Sequence, residues 1–151
     1  LHYPLRRQRQ MCIRDRPTLW DVEKGRIRFF AEVIGATDPI YFDASAAQAA
    51  GYRNVVAPPT FIFGAESDSG VLMTLLDTLK IDLRKVLHGE QRIDYHAPVC
   101  AGDTLRFQTR VTDIYDKKGG ALEFVVNDTK VTNQLGEHVS DLHSVVVVRH
   151  A

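Results

Sequence analysis

Apolar residues in the middle of the chain recur at helical spacing. Residues 55–79 open with an apolar run that includes Pro58 and Pro59, and they continue with leucines three or four positions apart. Proline lacks the N–H that a helix interior needs, so both prolines are expected to open a helix. Gly64 and residues 66–70 are expected to bend or break it. The pattern therefore predicts a buried central helical segment in two apolar parts.

The second half of the chain alternates apolar and polar residues, which is typical of half-buried strands. The alternation predicts strands over residues 85–96 and 105–114, a hairpin turn at 117–120 and a last strand over 138–149. Residues 145–148 are all valine, as in a central strand that is buried on both faces. We therefore expect an α+β fold in which an antiparallel sheet wraps around the central helix.

The strand that follows the hairpin turn is less regular. Leu122, Phe124 and Val126 place their side chains on one face, and the apolar phase then slips before Val131. This slip predicts a bulge near residues 127–128 of the same strand.

The first half of the chain contains shorter elements. Residues 18–22 are a short apolar stretch that is compatible with a strand. An amphipathic helix is predicted over residues 24–34, because the apolar residues recur at i, i+3, i+4 and i+7. A second short helix is predicted over residues 44–50, with Asp43 as its N-cap and Gly51 as its C-terminal stop.

Length and composition are those of one ordinary globular domain. The chain has 151 residues, of which 44% are hydrophobic and 25% are charged. Its 19 basic and 19 acidic side chains balance, so the charge does not favour nucleic acid or an anionic membrane as a partner. No apolar run in the sequence approaches the roughly 20 residues of a membrane span. The two cysteines, Cys12 and Cys100, offer no disulfide framework, which indicates a reducing cytoplasm.

Residues 1–16 differ from the rest of the chain. They are rich in arginine and show neither the apolar core of a secretion signal nor an amphipathic period. A basic binding arm is one interpretation, but we expect residues 1–16 to be a disordered or extraneous tail and residues 17–151 to be the folded domain. Removal of the tail should leave thermal stability nearly unchanged.

Several local sequences, in order along the chain, resemble one known family. They are residues 29–35, 38–41, 49–61, 88–91, 95–96 and 101–103. Together they resemble the N-terminal, FAS1-like dehydratase domain of the MaoC-like dehydratases, over about residues 20–149. The resemblance implies a single hot-dog fold. It also implies elimination of water from an acyl thioester, or addition of water to one, and similarity to the non-catalytic subunit of mycobacterial-type (3R)-hydroxyacyl-ACP dehydratases.

The catalytic motif of competent family members is altered in this chain. The family uses Gly-Asp-x-Asn-Pro-[Leu/Ile/Val]-His, in which the Asp and the His form the acid–base dyad. Residues 35–41 are Gly-Ala-Thr-Asp-Pro-Ile-Tyr, so Ala36 stands in place of the Asp and Tyr41 in place of the His. A tyrosine hydroxyl is a poor base near neutral pH. The resemblance therefore implies a subunit that lacks its own dyad.

Three residues are the remaining candidates for proton transfer, namely Asp38, Tyr41 and His88. Asp38 has a simpler explanation as a turn residue before a proline, and Tyr41 as a packed aromatic at the mouth of the cavity. Both interpretations, a catalytic role and a purely structural one, therefore stay open for these residues.

Substrate binding is predicted at the start of the central helix. The residues expected to act are Pro58, Pro59, Thr60 and Phe61. Behind the two prolines, the backbone N–H groups of Thr60 and Phe61 are expected to be free at the positive end of the helix dipole. Such donors can hold a thioester oxygen without a dyad.

Two other kinds of site have weaker support. His88, Glu90 and His96 share a predicted strand face, but same-strand spacing without a further ligand cluster is a weak metal signal. A polar face that pairs across the sheet or with a partner is the favoured explanation. Glu66 and Asp68 are candidates to activate water, as an acidic residue near the central helix does in hot-dog thioesterases, although a solvated polar loop is favoured for them. No metal and no cofactor are expected.

The preferred interpretation is a substrate-accommodating dehydratase subunit, in a homodimer or in a heterodimer with a catalytic hot-dog chain. The alternatives are an autonomous hydratase with atypical catalytic residues, a hot-dog acyl-CoA thioesterase and a non-catalytic acyl-thioester binding module. In each case the expected ligand is an acyl-CoA or acyl-ACP thioester, and the expected location is the cytoplasm.

Overall fold

Among residues 17–150 there are five strands, four of which account for most of the second half of the chain. The structure, a computed structural model, describes residues 17–150. The strands are β1 (Thr18–Asp21), β2 (Val86–Tyr95), β3 (Thr104–Lys117), β4 (Leu122–Thr132) and β5 (His138–Arg149). They form one antiparallel sheet in the order β1-β3-β4-β5-β2. The four consecutive valines of β5, residues 145–148, are buried, as predicted for a strand at the centre of a sheet.

Four α-helices precede the long strands. They are α1 (Lys24–Val33), α2 (Ala44–Ala49), α3 (Phe61–Asp68) and α4 (Val71–Leu79), and two short 3-10 turns lie at Pro39–Tyr41 and Leu83–Lys85. The predicted cap of α2 is confirmed, because the carboxylate of Asp43 accepts the backbone N–H of Ala46 at 2.7 Å. The predicted break of the central segment is also confirmed. Gly70 has a φ of +83°, a left-handed conformation that favours glycine, and it separates α3 from α4.

Helices α3 and α4 cover one face of the sheet, which we call the helix face. Phe61, Ile62 and Ala65 of α3 pack in one apolar cluster with residues of β3, β4 and β5. Leu75, Leu76 and Leu79 of α4 pack in a second cluster with residues of the same strands. The central helical segment therefore lies against the antiparallel sheet, which confirms the predicted α+β hot-dog architecture.

The start of the central helix differs from the prediction. Pro58 and Pro59 were expected to open the helix, but α3 begins at Phe61 and the prolines lie in the loop before it. Thr60 is the N-cap, with a φ of +69° and no side-chain capping bond. A β-branched residue rarely adopts this left-handed conformation, so the backbone at Thr60 is strained.

A bulge in β2 changes which face His88 occupies. The register with β5 shifts between His88 and Glu90, so that Gly89 is the additional residue. A Cβ on Gly89 would lie 2.8 Å from the Cγ2 of Val147, which leaves no room for a side chain. The prediction that His88 shares a face with Glu90 and His96 is therefore wrong. His88 stands on the helix face, and the residues beyond the bulge follow the opposite phase.

The bulge predicted in β4 lies in its neighbour instead. Along β4 the buried positions alternate without a slip; they are Glu123, Val125, Asn127, Thr129 and Val131. The register shift falls in β3, between Val111 and Asp113, opposite Asn127. The predicted apolar face of Leu122, Phe124 and Val126 is thus the outer face of the sheet. Three polar side chains of β4, those of Glu123, Asn127 and Thr129, lie on this buried face.

Two further expectations concern the surroundings of the protein. None of the helices within residues 17–150 is long and apolar enough to cross a membrane. Cys100 is a buried free thiol. The tail predicted over residues 1–16 lies outside the described residues, and the cytoplasmic location stays a prediction.

Candidate functional site

A cleft of about 390 Å³ lies beside the start of α3. Its wall includes aromatic residues from three parts of the chain, with the two prolines between them: Tyr41, Tyr52, Pro58, Pro59 and Tyr95. Residues 97–99, which follow β2, complete the wall. Of the predicted substrate-binding residues, the prolines line this cleft directly. Apart from the imidazole of His96, its lining is apolar and aromatic, which suits an acyl group more than a charged one.

The two backbone N–H groups that were expected to be free both have partners. The N–H of Thr60 donates to the hydroxyl of Tyr95 at 2.9 Å. The N–H of Phe61 donates to the carbonyl of Pro58 at 3.1 Å, and its ring is buried against Phe30. The expectation of two orphan donors is therefore wrong. The hydroxyl of Tyr95, a half-exposed side chain, holds the position at Thr60 that a ligand oxygen would take.

The structure separates the three predicted catalytic residues. Tyr41 lines the cleft, whereas Asp38 caps the 3-10 turn, because its carboxylate accepts the N–H of Ile40 at 3.1 Å. His88 stacks on Phe63, with ring centroids 5.4 Å apart, and lines a different cavity. Asp38, Tyr41 and His88 thus form no shared acid–base group.

The second cavity lies between α3, α4 and the strands β2 and β5, and has a volume of about 150 Å³. Its walls are largely apolar, and include Val71, Leu72, Leu75 and Val146. Its polar lining includes Glu66, Gln91, Asn127 and Ser144. A cavity of this kind is large enough for a short apolar chain and carries a few groups that can orient a polar one.

The polar groups of this cavity are only partly paired. The hydroxyl of Ser144 donates to Gln91 Oε1 at 2.5 Å. Gln91 Nε2 and Asn127 Oδ1 are buried and have no hydrogen-bond partner within the part of the chain that the structure describes. A buried polar atom without a partner costs free energy, so these atoms favour a water molecule or a polar ligand group in the cavity.

Glu66 is a buried acidic group in the lining of the second cavity. It is 6% exposed, and the hydroxyl of Thr129 donates to its Oε1 at 2.7 Å. Burial raises the pKa of the Glu66 carboxyl above its ordinary value, and the hydrogen bond from Thr129 offsets part of the rise. The solvated polar loop favoured for residues 66–70 is therefore wrong for Glu66. Asp68 lies at the surface, in an ion pair with Arg26.

A cluster that the sequence did not indicate lies near the end of β2. Asp141 holds two imidazoles, with His96 Nε2 at 2.9 Å from Oδ2 and His138 Nε2 at 2.9 Å from Oδ1. Burial acts to raise the pKa of Asp141, but the hydrogen bonds from both histidines outweigh it and hold the pKa below its ordinary value. His96 therefore pairs with β5 and not with the same-strand residues His88 and Glu90.

A buried ion pair fixes the loop behind the cleft. The guanidinium of Arg53 binds the carboxylate of Asp103 through two bonds of 2.8 and 3.1 Å. Asp103 is 1% exposed, and it also accepts the N–H of Cys100 and the amide of Gln134. The hydrogen bond to the Asp103 carboxylate is the main reason why the pKa of Arg53 lies above its ordinary value. This pair connects the loop before the cleft to the turn that starts β3.

Comparison with known proteins identifies the family. Residues 14–142 match the family model described as "FAS1-like, dehydratase domain region". The chain belongs to the FAS1-like dehydratase domain family. The predicted family is thereby confirmed.

Known relatives of this FAS1-like dehydratase domain agree with the match. The UPF0336 protein of Thermobifida fusca is 34% identical over 133 residues, which cover 88% of this chain and 86% of the relative. A crystal structure of the HadBC (3R-hydroxyacyl-ACP dehydratase) complex from Mycobacterium tuberculosis has a TM-score of 0.73 and 27% identity. It covers 89% of this chain and 96% of the solved one. A solved MaoC-like dehydratase has a TM-score of 0.75 and 28% identity, and covers 91% of this chain and 40% of that one.

Proposed function

We propose that the chain is the acyl-binding subunit of a (3R)-3-hydroxyacyl-thioester dehydratase, and that a second chain supplies the Asp–His dyad. One observation carries the proposal. The cleft beside α3 has the apolar walls of an acyl site, yet the two dyad positions are occupied by Ala36 and Tyr41. The cleft therefore keeps a binding function without the family's Asp and His at these two positions, and His96, which also lines it, is paired with Asp141.

The chemistry explains why this chain needs a partner. Dehydration requires a base for the proton next to the carbonyl, an acid for the leaving hydroxyl and donors for the thioester oxygen. Ala36 has no ionisable group, and Asp38 is committed to its turn. Each missing acid or base typically lowers the rate by about 10²–10⁴-fold. The isolated chain should therefore bind acyl thioesters and turn them over very slowly.

The placement of the ligand follows from the two cavities. We propose that the thioester oxygen takes the N–H of Thr60 in exchange for the hydroxyl of Tyr95. The prolines Pro58 and Pro59 then flank the thioester, and the acyl chain runs along α3 toward the second cavity. The strained backbone at Thr60 supports this placement, since strain of this kind is concentrated at ligand sites.

A partner chain is supported by the HadBC neighbour, which is itself a complex of two dehydratase subunits. The two edges of the sheet, β1 and β2, are where a second hot-dog chain has backbone groups to meet. We propose a dimer on this basis, with a catalytic hot-dog chain as the partner. Acyl-CoA and acyl-ACP remain equal candidates for the thioester.

The decisive experiment measures hydration of crotonyl-CoA. We expect the purified chain to show kcat/KM far below the ordinary enzyme range, and addition of a partner with an intact Gly-Asp-x-Asn-Pro-x-His motif to restore turnover. A value of about 10⁴ M⁻¹s⁻¹ or more for the chain alone would contradict the proposal. The variant Ala36→Asp with Tyr41→His is a useful addition, because partial recovery within this chain would locate the deficit in the dyad.

A second candidate function is hydrolysis of the thioester. The observation in its favour is Glu66, a buried carboxyl with a raised pKa at a cavity that an acyl chain can reach. The test is release of free thiol from an acyl-CoA. Release that is lost in Glu66→Gln and retained in Asp68→Asn would establish thioester hydrolysis. Binding without thiol release in the wild-type chain would leave the acyl-binding role.

A further inference from the structure

The cluster of His96, His138 and Asp141 brings three ligand atoms of metal-binding type together. All three atoms lie within 4.8 Å of one another. The two rings contact each other, with centroids 4.3 Å apart and an angle of 40° between their planes. Two imidazoles thus converge on a single carboxylate. The pair of His143 and Asp128, on the same sheet, has one imidazole for one carboxylate at 2.7 Å.

An irregularity in β5 creates this arrangement. Residues three apart on a regular strand face opposite sides of a sheet. Here the register between β4 and β5 skips Val139, since Val131 pairs with Ser140 and Thr132 pairs with His138. The skipped residue brings His138 and Asp141 to one side. His96 joins them because its backbone N–H bonds the carbonyl of Val139 at 2.9 Å.

We propose that His96, His138 and Asp141 form a binding site for a divalent first-row transition-metal cation, and that this cation is Zn²⁺. Two imidazole nitrogens and one carboxylate oxygen are a donor set that suits Zn²⁺, and water completes the coordination. The side chains are between 38% and 47% exposed, so water reaches the open positions.

The distances fit a cation between the three side chains. Zinc lies about 2.0–2.2 Å from such ligand atoms, which separates them from one another by about 3.3–3.5 Å in a tetrahedron. This spacing lies between the 2.9 Å of the present hydrogen bonds and the 4.8 Å limit of the cluster. Small rotations of the side chains are enough to admit the ion. The cross-strand neighbours of Asp141 are Asp94 and Lys130, one of each charge, so they do not bias the site strongly.

Binding at this site has a structural consequence for the cleft. His96 is followed directly by residues 97–99, which form part of the cleft wall. A cation on His96 and on the two β5 residues would fix this wall to the sheet. The proposal does not depend on the dehydratase role, because it concerns metal affinity alone.

The test is a Zn²⁺ titration of the full chain in competition with a chromogenic chelator. We expect one specific site in the wild-type protein and about tenfold or greater loss of affinity in His96→Gln and in His138→Gln. The matched control is His143→Gln, which should bind as the wild type does. Affinity should also fall on acidification, because an imidazole nitrogen that carries a proton cannot bind the metal.

Two results would overturn the proposal. One is a wild-type chain that binds Zn²⁺ no more tightly than both histidine variants do, which would locate any binding elsewhere in the chain. The other is an equal loss of affinity in His143→Gln. Circular dichroism and the metal-free Tm of each variant establish that it is folded, and a Zn²⁺-dependent rise of Tm in the wild type and in His143→Gln alone gives an independent readout.

Discussion

Replacement of Glu66 by glutamine is expected to stabilise the protein, and to do so more at high pH than at low pH. Burial raises the pKa of the folded-state carboxyl above the ordinary value of 4.5 that it regains on unfolding. The folded state therefore holds this proton more tightly than the unfolded state does. Stability is unaffected by Glu66 below about pH 4.5, and it is lost as the pH rises toward the raised pKa.

The magnitude follows from what surrounds the carboxylate. Glu66 is 6% exposed and has one hydrogen bond, from Thr129, so its charged form is poorly solvated. A buried polar group that is incompletely paired costs about 1–3 kcal/mol. Glutamine can accept the same bond from Thr129 through its Oε1. Its amide N–H can in turn donate to Asn127 Oδ1, a buried acceptor in the same cavity lining that has no partner among residues 17–150. For a urea m-value of about 2 kcal/mol per molar, a gain of about 1–3 kcal/mol should raise the midpoint by roughly 0.5–1.5 M.

Urea unfolding of wild type and Glu66→Gln at pH 5 and at pH 8, at one protein concentration, measures the effect. The control is Glu90→Gln, an exposed glutamate on β2, which should shift neither midpoint. The gain in Glu66→Gln should be larger at pH 8. Equal gains at both values, or a loss of stability at pH 8, would refute the argument from burial of the charge.

Two other predictions concern the cleft and its support. Tyr95→Phe removes the hydroxyl that accepts the N–H of Thr60 at the start of α3. Isothermal calorimetry should therefore show about fivefold tighter binding of butyryl-CoA, a gain equivalent to about one hydrogen bond, whereas Tyr52→Phe in the same cleft should leave the affinity unchanged. Arg53→Met leaves the buried carboxylate of Asp103 without its cation and should cost roughly 2–3 kcal/mol in urea unfolding. Arg84→Met breaks an exposed arginine–aspartate pair, and an equal loss there would show that burial is not the cause.

The sequence was sufficient for the fold because most elements have a regular period. The leucines of α4 and the alternation of β3 and β5 predict a helix against a sheet, and Gly70 predicts the break between α3 and α4. The dyad positions Ala36 and Tyr41 are also visible in the sequence, since they follow from a short contiguous motif. Such local features do not require knowledge of which strands are neighbours.

The parts that failed depend on single irregular residues. The bulge at Gly89 moves His88 to the helix face, and the skipped Val139 brings His138 beside Asp141. One extra residue reverses every side chain beyond it, and a pattern of period two cannot reveal the reversal in advance. Histidines at unremarkable spacing therefore gave no signal of the cluster.

The polar lining of the second cavity was missed for a different reason. Asn127 and Thr129 are buried on β4 although their side chains are polar, so the apolar pattern predicted a bulge near residues 127–128 in place of a continuous buried face. Glu66 was placed in a loop on the same ground. The signal that could have found them is the unbroken alternation from Val125 to Val131, because it keeps both polar residues in phase with buried valines.

The bulge at Gly89 also limits how the edge of the sheet can be used. β2 pairs with β5 on one side, and among residues 17–150 no strand pairs with its other side. An unpaired edge is a template onto which a foreign strand can add, as in aggregation. Because the bulge interrupts the even spacing of donors and acceptors, an added strand can stay in register along Glu90–Tyr95 or along Val86–His88, but not along both. The residue that turns His88 toward the helix thus also shortens the edge available for accidental polymerisation.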